Sequence, residues 1–308
     1  MTYKHLFGPV PSRRLGVSLG IDLVPHKTCT LNCVYCECGR TTNLTVDRKE
    51  YVPLAEILAE LDDYLKKSPE LDYITFSGSG EPTLHTGVGE IIRFLKEGYP
   101  GYRVAVLTNG TLLFDKGLRD AIKNADLIIP SLDAASEEAF RRVNRPHNKL
   151  SVDKMIMGLS NLRKEFSGEI WLEVFIVPGL NDSDAELQSL KKAIGEIRPD
   201  RVQVNTLDRP GTESWVMPAK KAELDRIALL LSGEVIANFE SRKRAKSFSK
   251  DIEEDIISTL GRRPCTAKDL SAILGLHLNE VNKYLQTLLE SGRVYSEEEA
   301  RGTFFRLK

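Results

Sequence analysis

The sequence predicts an α/β fold: a partial (β/α) barrel of about six units with a C-terminal winged-helix-like α+β domain. Short apolar runs alternate with amphipathic stretches from residue 16 to about 240, the pattern of right-handed βαβ units around a parallel sheet. Polar residues and glycines collect where those runs end: Cys29 onward, Gly78 to Glu81, Thr108-Asn109, Ser131 with Asp133, and Asn205. In a barrel such strand ends line one mouth, where the active site sits. Beyond residue 250 the alternation gives way to three helices and a hairpin. A doubly wound sheet is the alternative, and it would gather fewer of these ends around one cavity.

The elements follow in order. Gly8, Pro9 and Pro11 favour an extended lead-in over a helix. Arg13 and Arg14 either grip an anion bidentately or form a solvated pair. Val17, Leu19, Ile21 and Leu23 alternate and make a strand over 16–24 that runs into a cysteine-rich loop. Pro53 opens a helix to Leu65 whose apolar face is Leu54, Ile57, Leu58, Leu61 and Leu65. Tyr73–Phe76 is a buried strand ending at Ser77-Gly-Ser-Gly-Glu-Pro-Thr83. Helices are predicted at about 87–97, 115–124, 136–142, 151–166, 182–197 and 218–232. The strands between them fall at 102–107, 127–130, 170–177 and 201–205, with a last one at 235–239. The barrel is thus expected over 1–240, a basic linker over 241–250 and the second domain over 251–308.

In that second domain Ile252, Ile256, Ile257 and Leu260 make a helix stopping at Gly261. A second, Thr266–Leu274, opens with Thr266 and Asp269 as a capping-box pair. Gly275 turns the chain into a third, Leu278–Glu290, and two short strands follow. The predicted recognition helix offers Asn279, Asn282, Lys283 and Gln286, with one cation among them, and the hairpin tip Ser296–Arg301 is acidic. That charge repels phosphate, which favours protein docking or a lid over duplex binding; the basic linker keeps nucleic acid open as a partner.

Composition is that of an ordinary globular protein: 308 residues, 41% hydrophobic, 28% charged, net charge −1. Such a balance gives no push toward nucleic acid or anionic membrane. No apolar run approaches the ~20 residues of a membrane helix, and the N-terminus lacks a signal-peptide core, so a cytoplasmic, non-membrane protein is expected. Of five cysteines, Cys29, Cys33, Cys36 and Cys38 fall within ten residues. That is too crowded for a disulfide framework and suits metal ligation in a reducing compartment. Cys265 reads as a small core residue.

Cys29-Thr30-Leu31-Asn32-Cys33-Val34-Tyr35-Cys36 is a C-x3-C-x2-C run. Thiolates favour soft metals, so iron–sulfur and zinc are the candidates. Both usually take four protein ligands when no chemistry occurs at the metal; three cysteines suggest one position left open. Only Glu37 separates Cys38 from Cys36, which strains ligation to the same centre, so Cys38 reads as a thiol beside the site. The run, with an aromatic before its last cysteine, resembles the signature of the radical SAM superfamily. That resemblance implies a [4Fe-4S] cluster held by Cys29, Cys33 and Cys36, with S-adenosylmethionine on the fourth iron. It implies reductive cleavage to a 5′-deoxyadenosyl radical and hydrogen abstraction from an unidentified substrate, with an electron donor such as flavodoxin or ferredoxin. Gly78-Ser79-Gly80-Glu81-Pro82 resembles the family's Gly-Gly-Glu-Pro motif, implying that Gly78, Gly80 and Glu81 hold the methionyl ammonium. By the same resemblance Thr108 and Asn109 lie near the methionyl carboxylate, Ser131 and Asp133 meet the ribose, and Tyr35 flanks the adenine.

Phe7-Gly-Pro-Val-Pro-Ser-Arg-Arg-Leu-Gly16, followed by Lys27-Thr-Cys-Thr-Leu-Asn-Cys-Val-Tyr-Cys36, resembles a microbial group distantly related to wyosine-forming tRNA enzymes. Those enzymes carry further cysteines ahead of the motif, and this chain has none before Cys29. A tRNA-modifying enzyme therefore stands as one alternative, and an iron–sulfur redox-sensing regulator with a nucleic-acid-binding winged helix as another. Arg141, Arg142, Arg145 and His147, and Arg209 with Glu213, are read either as substrate contacts or as surface groups. No residue is assigned as catalytic.

Overall fold

The computed structural model describes residues 3–12, 14–207, 211–236, 252–276, 278–299 and 301–308. The expected linker 241–250, Arg13, Arg209 and most of the expected last strand lie outside these residues. Strands β1 (Leu6–Ser12) and β2 (Gly16–Ile21) form an antiparallel pair. The cysteine loop follows, holding two short paired strands, β3 (Thr28–Cys29) and β4 (Asn43–Leu44). Then come α1 (Leu54–Leu65), β5 (Tyr73–Phe76), α2 (Val88–Gly98), β6 (Arg103–Thr108), α3 (Lys116–Ile122) and β7 (Leu127–Pro130). The barrel region continues with α4 (Glu137–Val143), α5 (Val152–Glu165), β8 (Glu169–Phe175), α6 (Asp184–Ile197), β9 (Arg201–Asn205), α7 (Lys221–Leu230) and β10 (Glu234–Val235).

Eight strands make one sheet in the order β1-β2-β5-β6-β7-β8-β9-β10, parallel from β2 onward. The six full parallel strands match the expected six units. The strands between helices are buried on both faces, as parallel strands are. Residues of one parity, such as Ile74, Val104, Ile128, Leu172 and Val204, join the helices in the main core. Those of the other parity, Tyr73, Ala105, Leu127, Ile129 and Trp171, meet Leu15 inside the curve of the sheet and close its lower end. Helix starts are set locally: Ser136 accepts from Ala139 N, and Ser183 from Glu186 N, each such cap contributing about 1 kcal/mol.

The C-terminal residues form α8 (Ile252–Arg262), β11 (Cys265–Thr266), α9 (Ala267–Leu274), α10 (Leu278–Glu290), β12 (Val294–Glu299) and β13 (Gly302–Leu307). The three strands pair antiparallel in the order β11-β13-β12. Thr266 and Asp269 form the capping box the sequence predicts, and Gly275 ends α9 in the left-handed region. Ser296–Glu299, expected at a hairpin tip, lie within β12 because every one of them finds a partner on β13. The unit has its own core, Ile256, Leu260, Leu270, Val281, Leu285 and Phe305 among them, with Cys265 fully buried in it. Val10 of β1 packs against that core. No helix among the described residues is long and apolar enough to cross a membrane.

Candidate metal centre and cofactor site

The cysteine loop lies across the C-terminal ends of the strands and is tied down by its neighbours. Lys27 N donates to Ser79 O at 2.9 Å and Glu81 N to Thr28 O at 3.1 Å, joining it to the loop after β5. Asn32 N and Val34 N donate to Asn144 O and Val143 O at the end of α4, and Glu213 N to Val34 O from the far side. Thr212 Oγ1 adds a bond to Cys36 O at 3.0 Å. All four cysteines of the loop are half-buried.

Three of these sulfurs each receive a single side-chain N–H. Asn109 Nδ2 lies 3.5 Å from Cys29 Sγ, Asn144 Nδ2 3.4 Å from Cys33 Sγ, and Lys27 Nζ 3.0 Å from Cys36 Sγ. Cys38 differs: its Sγ donates weakly toward Gly78 O at 4.0 Å. Hydrogen bonds to sulfur are one of the levers that orient thiolate ligands and set their potential. Burial pushes the Cys29 thiol up to about 11 and Cys33 well above its usual range. Cys36 is instead held low, first by the neighbouring Cys38 thiol and then by the Lys27 ammonium, while the proximity of Cys36 raises Cys38. The thiolate of Cys36 keeps Lys27, itself 3% exposed, charged against the cost of its burial. Among the described residues no three such side chains converge on a point that would hold a single metal ion. Three cysteine sulfurs on one short loop are the soft thiolate donors that an iron–sulfur cluster takes.

The other expected site residues are close by, yet several have their hydrogen bonds filled from within. Glu81 is 1% exposed; its carboxylate accepts from Thr83 N and Oγ1, Thr108 Oγ1 and Asn109 N at 2.6–3.0 Å. Its place is that of a strut between two strand ends, with burial raising its pKa despite those donors. Asn109 is likewise spent on the cysteine loop, bonding Thr30 Oγ1 at 2.8 Å besides Cys29. Gly78 and Gly80 are required by close approach: a Cβ would fall 1.5 Å from Asp22 Oδ1 at Gly78 and 2.2 Å from Thr28 O at Gly80. Gly78 also has φ +129°, a region side-chain-bearing residues avoid.

Asp133, 2% exposed, accepts from Phe175 N at 2.9 Å, Asn144 Nδ2 at 2.7 Å and Tyr35 Oη at 2.5 Å. Burial raises its pKa to about 6 against those three donors. Tyr35 stacks on Phe175 with ring centroids 3.8 Å apart and planes 9° from parallel. Ser131 is half-exposed on the inner face of the sheet, bridged to Glu173. Beside this group Asn144 Oδ1 is buried with no hydrogen-bond partner, an acceptor that a bound hydroxyl or amine would satisfy.

The expected anion contacts resolve otherwise. Arg14 reaches across the inside of the sheet to an ion pair with Glu173 and a bond to Gln203. Arg141 and Arg142 pair with Glu137 and Glu138 one turn back. Arg145 and Arg40 both pair with Glu213. His147 accepts from Lys149 N. The sequence reading did not single out Lys27, Asn144, Asp22 or Glu173 for a role. Lys27 precedes Cys29 by two residues, a local signal; the others come from pairings far apart in sequence.

The family model for the radical SAM superfamily matches residues 23–190. The chain is a member of that superfamily. It is also 38% identical, over 96% of its length, to a Brachyspira hyodysenteriae protein named GTPase Obg, of which it spans only 44%. A UPF0026 protein of Methanocaldococcus jannaschii is 32% identical over 87% of this chain and 85% of that one. In fold, a radical SAM methyltransferase from Sphaerobacter thermophilus superposes with a TM-score of 0.55 at 17% identity, covering 71% of this chain and 66% of that one. The chain is thus a radical SAM enzyme whose cofactors are a [4Fe-4S] cluster and S-adenosylmethionine.

Proposed function

We propose that Cys29, Cys33 and Cys36 hold three irons of the cluster and that S-adenosylmethionine takes the fourth. The observation that carries this assignment is the one-to-one pairing of three N–H donors with those three sulfurs, from which Cys38 is left out. When bound, the two cofactors supply one-electron reductive cleavage of a sulfonium, leading to hydrogen abstraction from substrate. The protein positions both and keeps water out. Lys27 offsets negative charge at Cys36, and Asn109 and Asn144 orient Cys29 and Cys33. The Ser77–Gly80 backbone, held at Ser79 by Asp22 and by Lys27 N, would meet the methionyl end; Ser131 and the Asn144 Oδ1 acceptor would meet the nucleoside end. Glu81, Thr108 and Asp133 then act behind the ligand, as supports for the groups that touch it.

Anaerobic reconstitution tests the reading. About four irons per chain and dithionite-dependent 5′-deoxyadenosine are expected. Cys29→Ala, Cys33→Ala and Cys36→Ala should each abolish both, and Cys38→Ala should keep the iron. Loss of the cluster in the Cys38 variant would overturn the ligand assignment.

A further inference from the structure

The barrel is incomplete, and its two free edges are β1 and β10. The C-terminal unit reaches toward both. On one side α9 and its core pack on β1 through Val10. On the other, the β12–β13 hairpin faces the 204–219 segment and β10 across a cavity of about 850 Å³. Below, Leu15 among the inner apolar side chains and the Arg14–Glu173 pair close the lumen. Barrel and C-terminal unit meet along a seam where β1 faces α8 and α9.

That seam holds a second cavity of about 310 Å³. Phe7 and Val10 of β1, Thr75 from inside the barrel, Cys38 of the cysteine loop, and Thr259 and Arg262 of α8 line it. Its position joins the cysteine loop directly to the C-terminal unit. The joint is latched: Arg262 Nε donates to Asp22 Oδ2 at 3.0 Å, and its guanidinium sits 4.6 Å from the Phe7 ring centroid. Asp22 in turn accepts from Ser79 N at 3.1 Å, within the loop assigned above to the methionyl end. One half-buried carboxylate therefore couples docking of α8 to the shape of the cofactor loop.

We propose that this seam cavity is the substrate chamber, with α8 as one wall, and that it takes a small molecule with an apolar body and charged or hydrogen-bonding groups rather than a nucleic acid or protein. The volume lies at the lower end of small-molecule sites, about 300–1,000 Å³. The walls are aliphatic and aromatic at Leu6, Phe7, Val10, Leu15 and Leu107, and carry hydroxyls at Thr75 and Thr259 and charges at Glu37, Glu254, Asp255, Arg262 and Arg263. The proposal rests on the cluster reading, since Cys38 in the wall is what places the chamber beside Cys36.

Thiol labelling of the reconstituted holoenzyme tests it without knowledge of the substrate. The cluster sequesters Cys29, Cys33 and Cys36, and Cys265 is buried, so Cys38 is the thiol left to react. N-ethylmaleimide and a polyethylene-glycol maleimide carry the same reactive group, so the ratio of their rates reports access and not thiol chemistry. Cys38 should be modified by the small reagent and spared by the large one. Thr259→Trp, which fills the chamber from α8, should slow the small reagent by roughly tenfold, with iron content and melting temperature as controls for folding. Arg262→Asp, which breaks the latch, should admit the large reagent. In a second arm, low-mass cell extract should raise 5′-deoxyadenosine formation above the rate without extract, and the Thr259→Trp protein should not respond. Equal labelling by both reagents, labelling by neither, or stimulation by the high-mass fraction alone or by no fraction overturns the chamber. Rapid modification of Cys29, Cys33 and Cys36 alongside Cys38 would instead defeat the cluster reading.

Discussion

The mouth of the barrel and the seam beneath the C-terminal unit are built on opposite plans. At the mouth nearly every polar group is committed: Glu81 takes four donors, Asp133 three, and Asn109 serves Cys29, Thr30 and Glu81 at once. At the seam, among the described residues, Val10 packs on the core of the C-terminal unit, α9 lies on β1, Arg262 reaches Asp22 and the Phe7 ring, and a stretch of wall leaves space. A saturated network holds its members in one geometry, and removing any of them strands several partners. The difference fits the roles proposed for the two ends: a cofactor end fixed before chemistry begins, and a chamber that leaves room for a guest.

Breaking the network at its most connected point gives the largest effect. Glu81→Ala leaves Thr83 N, Thr83 Oγ1, Thr108 Oγ1 and Asn109 N without their acceptor in a fully buried place. The loss should reach roughly 3 kcal/mol or more, at 1–3 kcal/mol for each stranded group less local relaxation. Chemical denaturation should show this drop, together with slow loss of iron, because Asn109 is released from Cys29. A stability within 1 kcal/mol of the parent, by the same measure, would mean the network is not a unit.

Lys27→Met sharpens the comparison by removing charge and little else. The ammonium lies 3.0 Å from Cys36 Sγ, and a unit charge about 5 Å from the added electron acts with about 3 kcal/mol at an effective dielectric of ~20. For one electron that corresponds to a fall in midpoint potential on the order of 100 mV. A redox titration followed by electron paramagnetic resonance should find the cluster assembled but harder to reduce. An unchanged potential would show that Lys27 only fills space.

Asp133→Asn probes the network by pH. The folded carboxyl titrates at about 6, raised by burial from a reference of 3.8. A raised acid is favoured by folding when protonated, so its contribution is full below about pH 4 and is lost as pH rises through about 6. The parent should therefore lose stability across that window, on the order of 3 kcal/mol from this group. The Asn variant lacks the titration and should be flatter there. Denaturation of the metal-free protein at several pH values measures the difference in slope; parallel curves would remove Asp133 as its source.

How much of this the sequence disclosed follows the range of each interaction. The parallel strands, the helices between them and the Thr266–Asp269 capping box are local patterns, and they stand where periodicity and capping chemistry put them. The three cysteines are local as well. The occupation of Glu81 and Asp133 is not: their donors lie up to 98 residues away along the chain, and a carboxylate at a strand end looks the same in sequence whether it faces ligand or holds up a loop. Arg14 illustrates the same limit. Its partner Glu173 is 159 residues distant, so a side chain that reads as an anion grip becomes an inner brace. The seam has no signature at all, because it arises where Asp22 and Arg262 meet across 240 residues.

The smallest effect is expected where the sequence left two readings open, at the basic end of α4. Arg141 and Arg142 are about half-exposed and pair one turn back with Glu137 and Glu138. Such exposed helix pairs contribute about 0.3–0.5 kcal/mol each and are screened by salt. Arg141→Ala with Arg142→Ala should thus cost under about 1 kcal/mol, less at high salt. Substrate-stimulated 5′-deoxyadenosine formation should stay at the parent level, since neither arginine lines the proposed chamber against β1 and α8. A collapse of the stimulated rate with stability intact would place an anionic substrate at the mouth after all. It would then be the saturated region, and not the seam, that receives the guest.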